Sequence, residues 1–155
     1  MIHDSDARHG ARLAAVQALY QMELAGGGAE EVAEEFIAHR FGETPTDEVF
    51  FKSILEGVPA RQGEIDKAIA ACLTESWTLA RVDSILRAIL RAAALELVAR
   101  RDVPARVVID EYVGIAHDFF AGDEPGFVNA ALDRMARRKR AKEFGLPTPD
   151  DELDF

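Results

Sequence analysis

Apolar residues recur along this chain at the three- and four-residue spacings of buried helix faces. Leu13, Val16, Tyr20 and Leu24 form the first stripe, which predicts a helix starting near Asp6 or Ala7 and ending at Leu24. Gly26-Gly27-Gly28 then breaks it. A second helix is predicted over residues 29–40, with Val32, Phe36 and Ile37 inward. Phe41-Gly42 and Pro45 read as a loop. Thr46 reads as the N-cap of a third helix, with Asp47 and Glu48 in the first turn, where carboxylates complement the helix dipole. Phe50, Phe51, Ile54, Leu55 and Val58 give that helix a broad apolar face. Pro59 lacks a backbone donor and should kink or interrupt it. Ile65, Ile69 and Leu73, spaced by four, mark a further helical piece.

The second half repeats the pattern. Trp77 lies in a polar stretch. A helix is predicted over about 81–100, with Val82, Ile85, Ile89, Ala93 and Leu97 as its core stripe, widened by Leu86 and Leu90. Asp102-Val103-Pro104 is a short corner, with Pro104 suited to a helix first turn. The next helix carries Val108, Ile109, Tyr112, Ile115, Ala116 and Phe119. Gly122-Asp123-Glu124-Pro125-Gly126 interrupts, and a last helix carries Phe127 or Val128, Ala131, Leu132 and Met135. Beyond it come a basic run, 134–142, and an acidic end, Asp150 to Phe155. Period-two alternation is absent. The prediction is an all-α fold of about seven helices in one domain over 1–142, with a flexible acidic tail over 143–155.

Composition narrows the chemistry. The chain has 155 residues, 48% of them apolar, and a formal net charge of −10. A dedicated nucleic-acid binder is usually basic, so any RNA contact must come from a local positive patch. Cys72 is the single cysteine, which excludes an internal disulfide and a multi-cysteine zinc site. It is expected to be a buried thiol, in keeping with a reduced, cytoplasmic setting. No leader-like segment opens the chain, and no apolar run reaches membrane-spanning length.

His3, His9, His39 and His117 are scattered, with no i, i+4 pair. Gly26-Gly27-Gly28 lacks the Lys-Ser or Lys-Thr of a phosphate loop. Glu30-Glu31 and Glu34-Glu35 alternate with core positions and read as a solvated face. No metal, cofactor or catalytic residue is implied, so a binding role is expected rather than an enzyme.

Several short motifs stand in a recognisable order. They are Ala11-Arg12 and Val16-Gln17-Ala18-Leu19-Tyr20-Gln21, then Gly57-Val58 and Glu64-Ile65-Asp66. Ile89-Leu90-Arg91 with Glu96-Leu97 follows, then the Asp102–Pro104 corner, then Val107, Ile109 and Glu111 at alternate positions, then Phe127-Val128-Asn129 with Leu132-Asp133. In this order they resemble the NusB family of bacterial transcription antitermination factors, from about Arg8 to Arg137.

The resemblance implies two helical subdomains, about 1–76 and 77–142. It implies binding of boxA-type single-stranded RNA in ribosomal RNA transcripts, together with NusE, a ribosomal protein of the small subunit. The pair would help RNA polymerase in the transcription elongation complex read through terminators.

The same resemblance suggests the RNA-contacting residues. An arginine-rich stretch opens the family's first helix. Its counterpart here holds Arg8, His9 and Arg12, with the two arginines at i, i+4 on one face. The patch is thinner than the family pattern, and each missing phosphate contact lowers the salt slope by about 0.7 for single strands. Weak RNA binding by the chain alone is therefore expected.

Tyr20 and Phe127 match aromatic positions of the family and either stack on bases or pack in the core. Gln17 is a polar donor for RNA or for a neighbouring backbone. Asn129 either touches RNA or holds a loop. The loop carrying Asp123 is placed near RNA, where its carboxylate would repel phosphate, while Asp123 and Glu124 also read as caps of the last helix. The basic run 134–142 reads either as a second RNA contact or as a solvated helix end. Two alternatives stand beside this reading: a protein–protein module, such as a homodimer, with weak RNA binding, and a relative of the accessory domains of RNA cytosine methyltransferases.

Overall fold

In the computed structural model, residues 4–42, 46–73 and 78–147 are described. They form seven α-helices: α1 (Asp4–Ala25), α2 (Ala29–Arg40), α3 (Glu48–Ala60), α4 (Gln62–Ala70), α5 (Ser84–Ala99), α6 (Ala105–Phe119) and α7 (Glu124–Lys139). Short 3₁₀ turns lie at Leu79–Arg81 and Ala141–Phe144. No strand occurs among the described residues.

Local chemistry sets the boundaries. α1 begins at Asp4, earlier than the apolar stripe suggests, because Asp6 in its first turn favours the helix dipole. It ends where Gly26 and Gly27 take φ of +81° and +101°, a region that side chains rarely enter. Asp47, rather than Thr46, caps α3: its carboxylate accepts the Phe50 N–H at 3.0 Å. The Asp47 N–H donates to the Ala7 carbonyl at 3.0 Å, fastening that cap to α1. Pro59 stands in the last turn of α3, and α4 follows after Arg61 alone. α5 starts at Ser84, later than the stripe suggests, because Leu79–Arg81 first forms a 3₁₀ turn and Asp83 then caps the helix through the Ile85 N–H at 2.8 Å.

α5 is the central element, packing against α1, α3, α4, α6 and α7. Its alanines, Ala88 and Ala92–Ala94, are buried and let neighbouring helices approach closely. Gly57 on α3 serves the same purpose: a Cβ there would lie 2.7 Å from Cδ2 of Leu95. The stripes read from the sequence form the core, and Cys72 is buried with them. Two stripe residues depart from this. Leu24 is 61% exposed and Phe119 is 37% exposed. Both lie in the last turn of their helices, beyond the reach of a covering element.

The C-terminal expectations also change. Arg140 of the basic run is buried, 3% exposed. Its guanidinium donates to the carbonyls of Glu96 (3.0 Å), Leu97 (2.7 Å), Arg100 (2.9 Å) and Val103 (2.9 Å). These are carbonyls at and just beyond the end of α5, which no helical N–H can satisfy, so Arg140 serves as that helix's C-terminal cap. Folding continues into the segment first read as tail. Glu143 accepts from the Ala105 N–H at 2.9 Å and Arg140 at 2.7 Å, and Phe144 packs on the core. Pro45, Trp77 and the acidic stretch 150–155 lie outside the described residues. Among the described residues, no helix is long and apolar enough to cross a membrane.

Candidate nucleic-acid interface

Arg12 is not where an exposed arginine face would put it. It is 2% exposed and points inward from α1. Nε and Nη2 donate to the two carboxylate oxygens of Glu96 on α5, at 2.8 and 2.9 Å. Nη1 donates to Oε1 of Glu111 on α6 at 3.1 Å. The Tyr112 hydroxyl donates to Oε2 of Glu96 at 2.5 Å. Burial opposes the charged guanidinium, but the Glu96 hydrogen bond and charge prevail, and the Arg12 pKa is raised. Burial, then the charge of Glu96, hold the Tyr112 phenol well above its ordinary value. Arg12 therefore joins α1 to α5 and α6 and has no donor left for a phosphate.

Arg8, one turn earlier, stays at the surface with its side chain 35% exposed. Its guanidinium lies over the Phe50 ring at 4.7 Å, and Arg100 from the end of α5 lies over the same ring at 4.8 Å. Phe50 itself is buried, so it is a fixed platform that aims two cations outward. Two carboxylates temper the pair. Asp102 holds Arg100 through two bonds, at 3.1 and 3.0 Å, and approaches Arg8 at 3.9 Å. Asp47 lies 4.0 Å from Arg8. The hydrogen bond from Arg100 draws the Asp102 pKa down, and the same bond raises that of Arg100. The patch is local and half neutralised, consistent with the thin arginine stretch.

The remaining α1 residues continue along one seam. His9 Nδ1 meets Oε2 of Glu111 at 2.7 Å. Beyond it, Gln17 and Tyr20 line a groove of about 460 Å³ together with Leu24, Ile85, Phe119 and Arg40. Arg8 and Arg12 line a cleft of about 510 Å³ with Asp102, Pro104, Val107 and Glu111. α6 walls both. Its early residues, Val107 and Glu111, face the Arg8 cleft, and its last residue, Phe119, faces the Tyr20 groove. The two hollows thus lie in line along α1 and α6, with Arg8 and Tyr20 separated by about 18 Å of helix rise.

The α6–α7 turn follows directly from Phe119. Asp123 is exposed and stands at the N-cap position of α7, but its side chain makes no capping bond. The backbone carbonyl of Asp123 accepts the Phe127 N–H at 3.1 Å instead. The expectation of a side-chain cap from Asp123 is therefore not met. Asn129 is exposed, while Phe127 is half-buried and packs on the core. Tyr20 is likewise half-buried against the core, leaving one part of its ring to the groove.

Sequence reading missed Arg100, Asp47 and Asp102 at the Arg8 cleft, and Glu96 behind it. Glu96 had a detectable signal. It is a carboxylate inside the apolar run 92–97, and such a group stays buried only with a cationic partner. Arg100 had none, since its place on Phe50 depends on how α3 and α5 meet.

Comparison with known proteins agrees with this architecture. The sequence profile of the NusB family matches residues 9–137. The chain is 54% identical over 144 residues to the transcription antitermination protein NusB of Maricaulis maris, covering 88% of this chain and 90% of that one. It is 48% identical over 144 residues to its namesake in Rhodopseudomonas palustris strain BisB18, covering 88% and 85%. The fold superposes on T. maritima NusB with a TM-score of 0.79, 29% identity and coverage of 94% and 100%. A structure of NusB and NusE in complex with dsRNA superposes with a TM-score of 0.74, covering 84% and 96%. At 23% identity, that last likeness concerns the fold alone.

Proposed function

The chain belongs to the NusB family, whose members are RNA-binding transcription antitermination factors and not enzymes, and from that premise we propose that it binds boxA-type single-stranded RNA along the α1–α6 seam together with NusE. The observation that carries this reading is the alignment of the two hollows. One end offers cations: Arg8 and Arg100 stand on the Phe50 ring where a phosphate is drawn in. The other end offers partly exposed rings, Tyr20 and Phe119, on which bases stack at about 1–3 kcal/mol each. Gln17 supplies a hydrogen-bonding edge in the same groove. The α6–α7 turn, with Asp123 and Asn129 exposed, follows the Phe119 end and completes the surface.

In this reading Arg12 is a positioning residue. Its bonds to Glu96 and Glu111 fix α1 against α6 and so set the width of the seam. His9 contributes through Glu111 in the same way. Phe127 acts from within the core, holding the α6–α7 turn. The Asp47 and Asp102 carboxylates oppose phosphate at the cationic end, so binding by the chain alone is weak and NusE supplies the remainder. The complex then acts in the cytoplasm on the elongating polymerase, promoting read-through of ribosomal RNA genes. A terminator read-through assay tests this. Adding the chain with NusE to RNA polymerase on a boxA-bearing template raises read-through. An equal effect on a template with scrambled boxA would overturn the proposal.

A further inference from the structure

A second positive surface lies on the other side of Arg100. Arg61 and Lys67 on α4, Arg101 after α5, and Arg138 and Lys139 on α7 line a cleft of about 480 Å³, with Glu64 as its acidic member. On a chain of net charge −10 this is a pronounced local reversal. Arg61 lies 4.0 Å from Glu64, so that one cation is matched. Lys67, Arg101, Arg138 and Lys139 have no carboxylate within ion-pair distance among the described residues. Arg138 leans only on the Ala71 carbonyl at 3.4 Å. All four are exposed. Four unpaired cations facing one hollow repel each other, and the arrangement is relieved by a polyanion.

Its position identifies the polyanion. Arg100 belongs to the Arg8 cleft and Arg101 to this one. Consecutive Cα atoms lie about 3.8 Å apart, so the two surfaces meet at one peptide bond. We infer that the α4–α5–α7 cleft is a second phosphate-binding surface, which takes the backbone of the same RNA strand after it leaves the Arg8 end of the seam. This rests on the proposed RNA-binding reading and extends it. The cleft has no aromatic lining, so it grips backbone without reading bases, and it adds affinity only to strands long enough to reach it.

The test compares a boxA RNA of about 8 nucleotides with one of about 30 nucleotides, titrated across salt against the full chain. The variant is Lys67→Ala plus Arg101→Ala plus Lys139→Ala, all at exposed positions, with folding checked by circular dichroism. Three lost contacts should lower the salt slope for the long RNA by about 2, and its affinity by about 100-fold near 0.1 M salt. Short-RNA binding should be unchanged, yet fall on Arg8→Ala. If the variant binds the long RNA as the wild type does, the cleft inference fails while the seam reading stands. If short RNA binds without sequence preference, the seam reading fails. If the variant loses polyglutamate binding and keeps long RNA, the cleft serves an acidic protein and the inference is overturned.

Discussion

Arg12 and Glu96, 84 residues apart in sequence, form a two-bond ion pair at 2.8 and 2.9 Å, sealed from solvent between α1 and α5. Removing one partner strands a buried charge, at a cost of about 3–5 kcal/mol. Arg12→Ala should therefore lose that much stability in urea unfolding. Arg12→Met, Glu96→Leu and Tyr112→Phe together should recover most of it, since they remove both charges and the hydroxyl. A single-variant loss below about 1 kcal/mol would mean that the pair is open to water.

Tyr112 provides a pH signature of the same network. Burial and the Glu96 charge favour its neutral phenol in the folded chain. Its raised value means that this stabilisation is complete below the ordinary tyrosine value near 10 and is lost as pH rises beyond it. In a Tyr20→Phe background, phenolate absorbance should appear only together with unfolding. Smooth titration near pH 10 with the helices intact would contradict the buried placement.

Arg8 and Arg100 should separate binding from folding. Both stand at the surface against paired carboxylates, so each change to Ala should cost no more than about 1 kcal/mol of stability. Each should lower the RNA salt slope by about 0.7. Arg12→Lys offers the contrast, affecting stability first because an ammonium cannot span both Glu96 oxygens.

Asp123→Asn should tighten RNA binding by about 0.5–1 kcal/mol, the scale of one exposed charge. The Asp123 side chain makes no capping bond, so the change leaves α7 intact. A titration at fixed salt showing equal or weaker affinity would place the α6–α7 turn away from the RNA.

Legibility in the sequence followed the range of the interaction. α2 matches its reading because Gly26 to Gly28 and the Val32–Phe36 spacing are local signals. The Asp102–Pro104 corner and the end of α3 near Pro59 are legible for the same reason. Arg12 and Arg140 are opaque, because what buries each lies tens of residues away: Glu96 for one, the end of α5 for the other. A cation looks alike in sequence whether it faces water or caps a distant helix. Leu24 and Phe119 look like core because periodicity does not say where the opposing helix stops. At the candidate site, residue types were readable, whereas the sorting into surface contact and internal brace was not.

The most direct measurement is the affinity of this chain for boxA-type RNA against a scrambled RNA of equal length, with and without NusE, across salt. The account predicts a weak preference for boxA by the chain alone, a stronger one with NusE, and loss of preference on Arg8→Ala with Tyr20→Ala. Equal binding of the two RNAs in both conditions would contradict it.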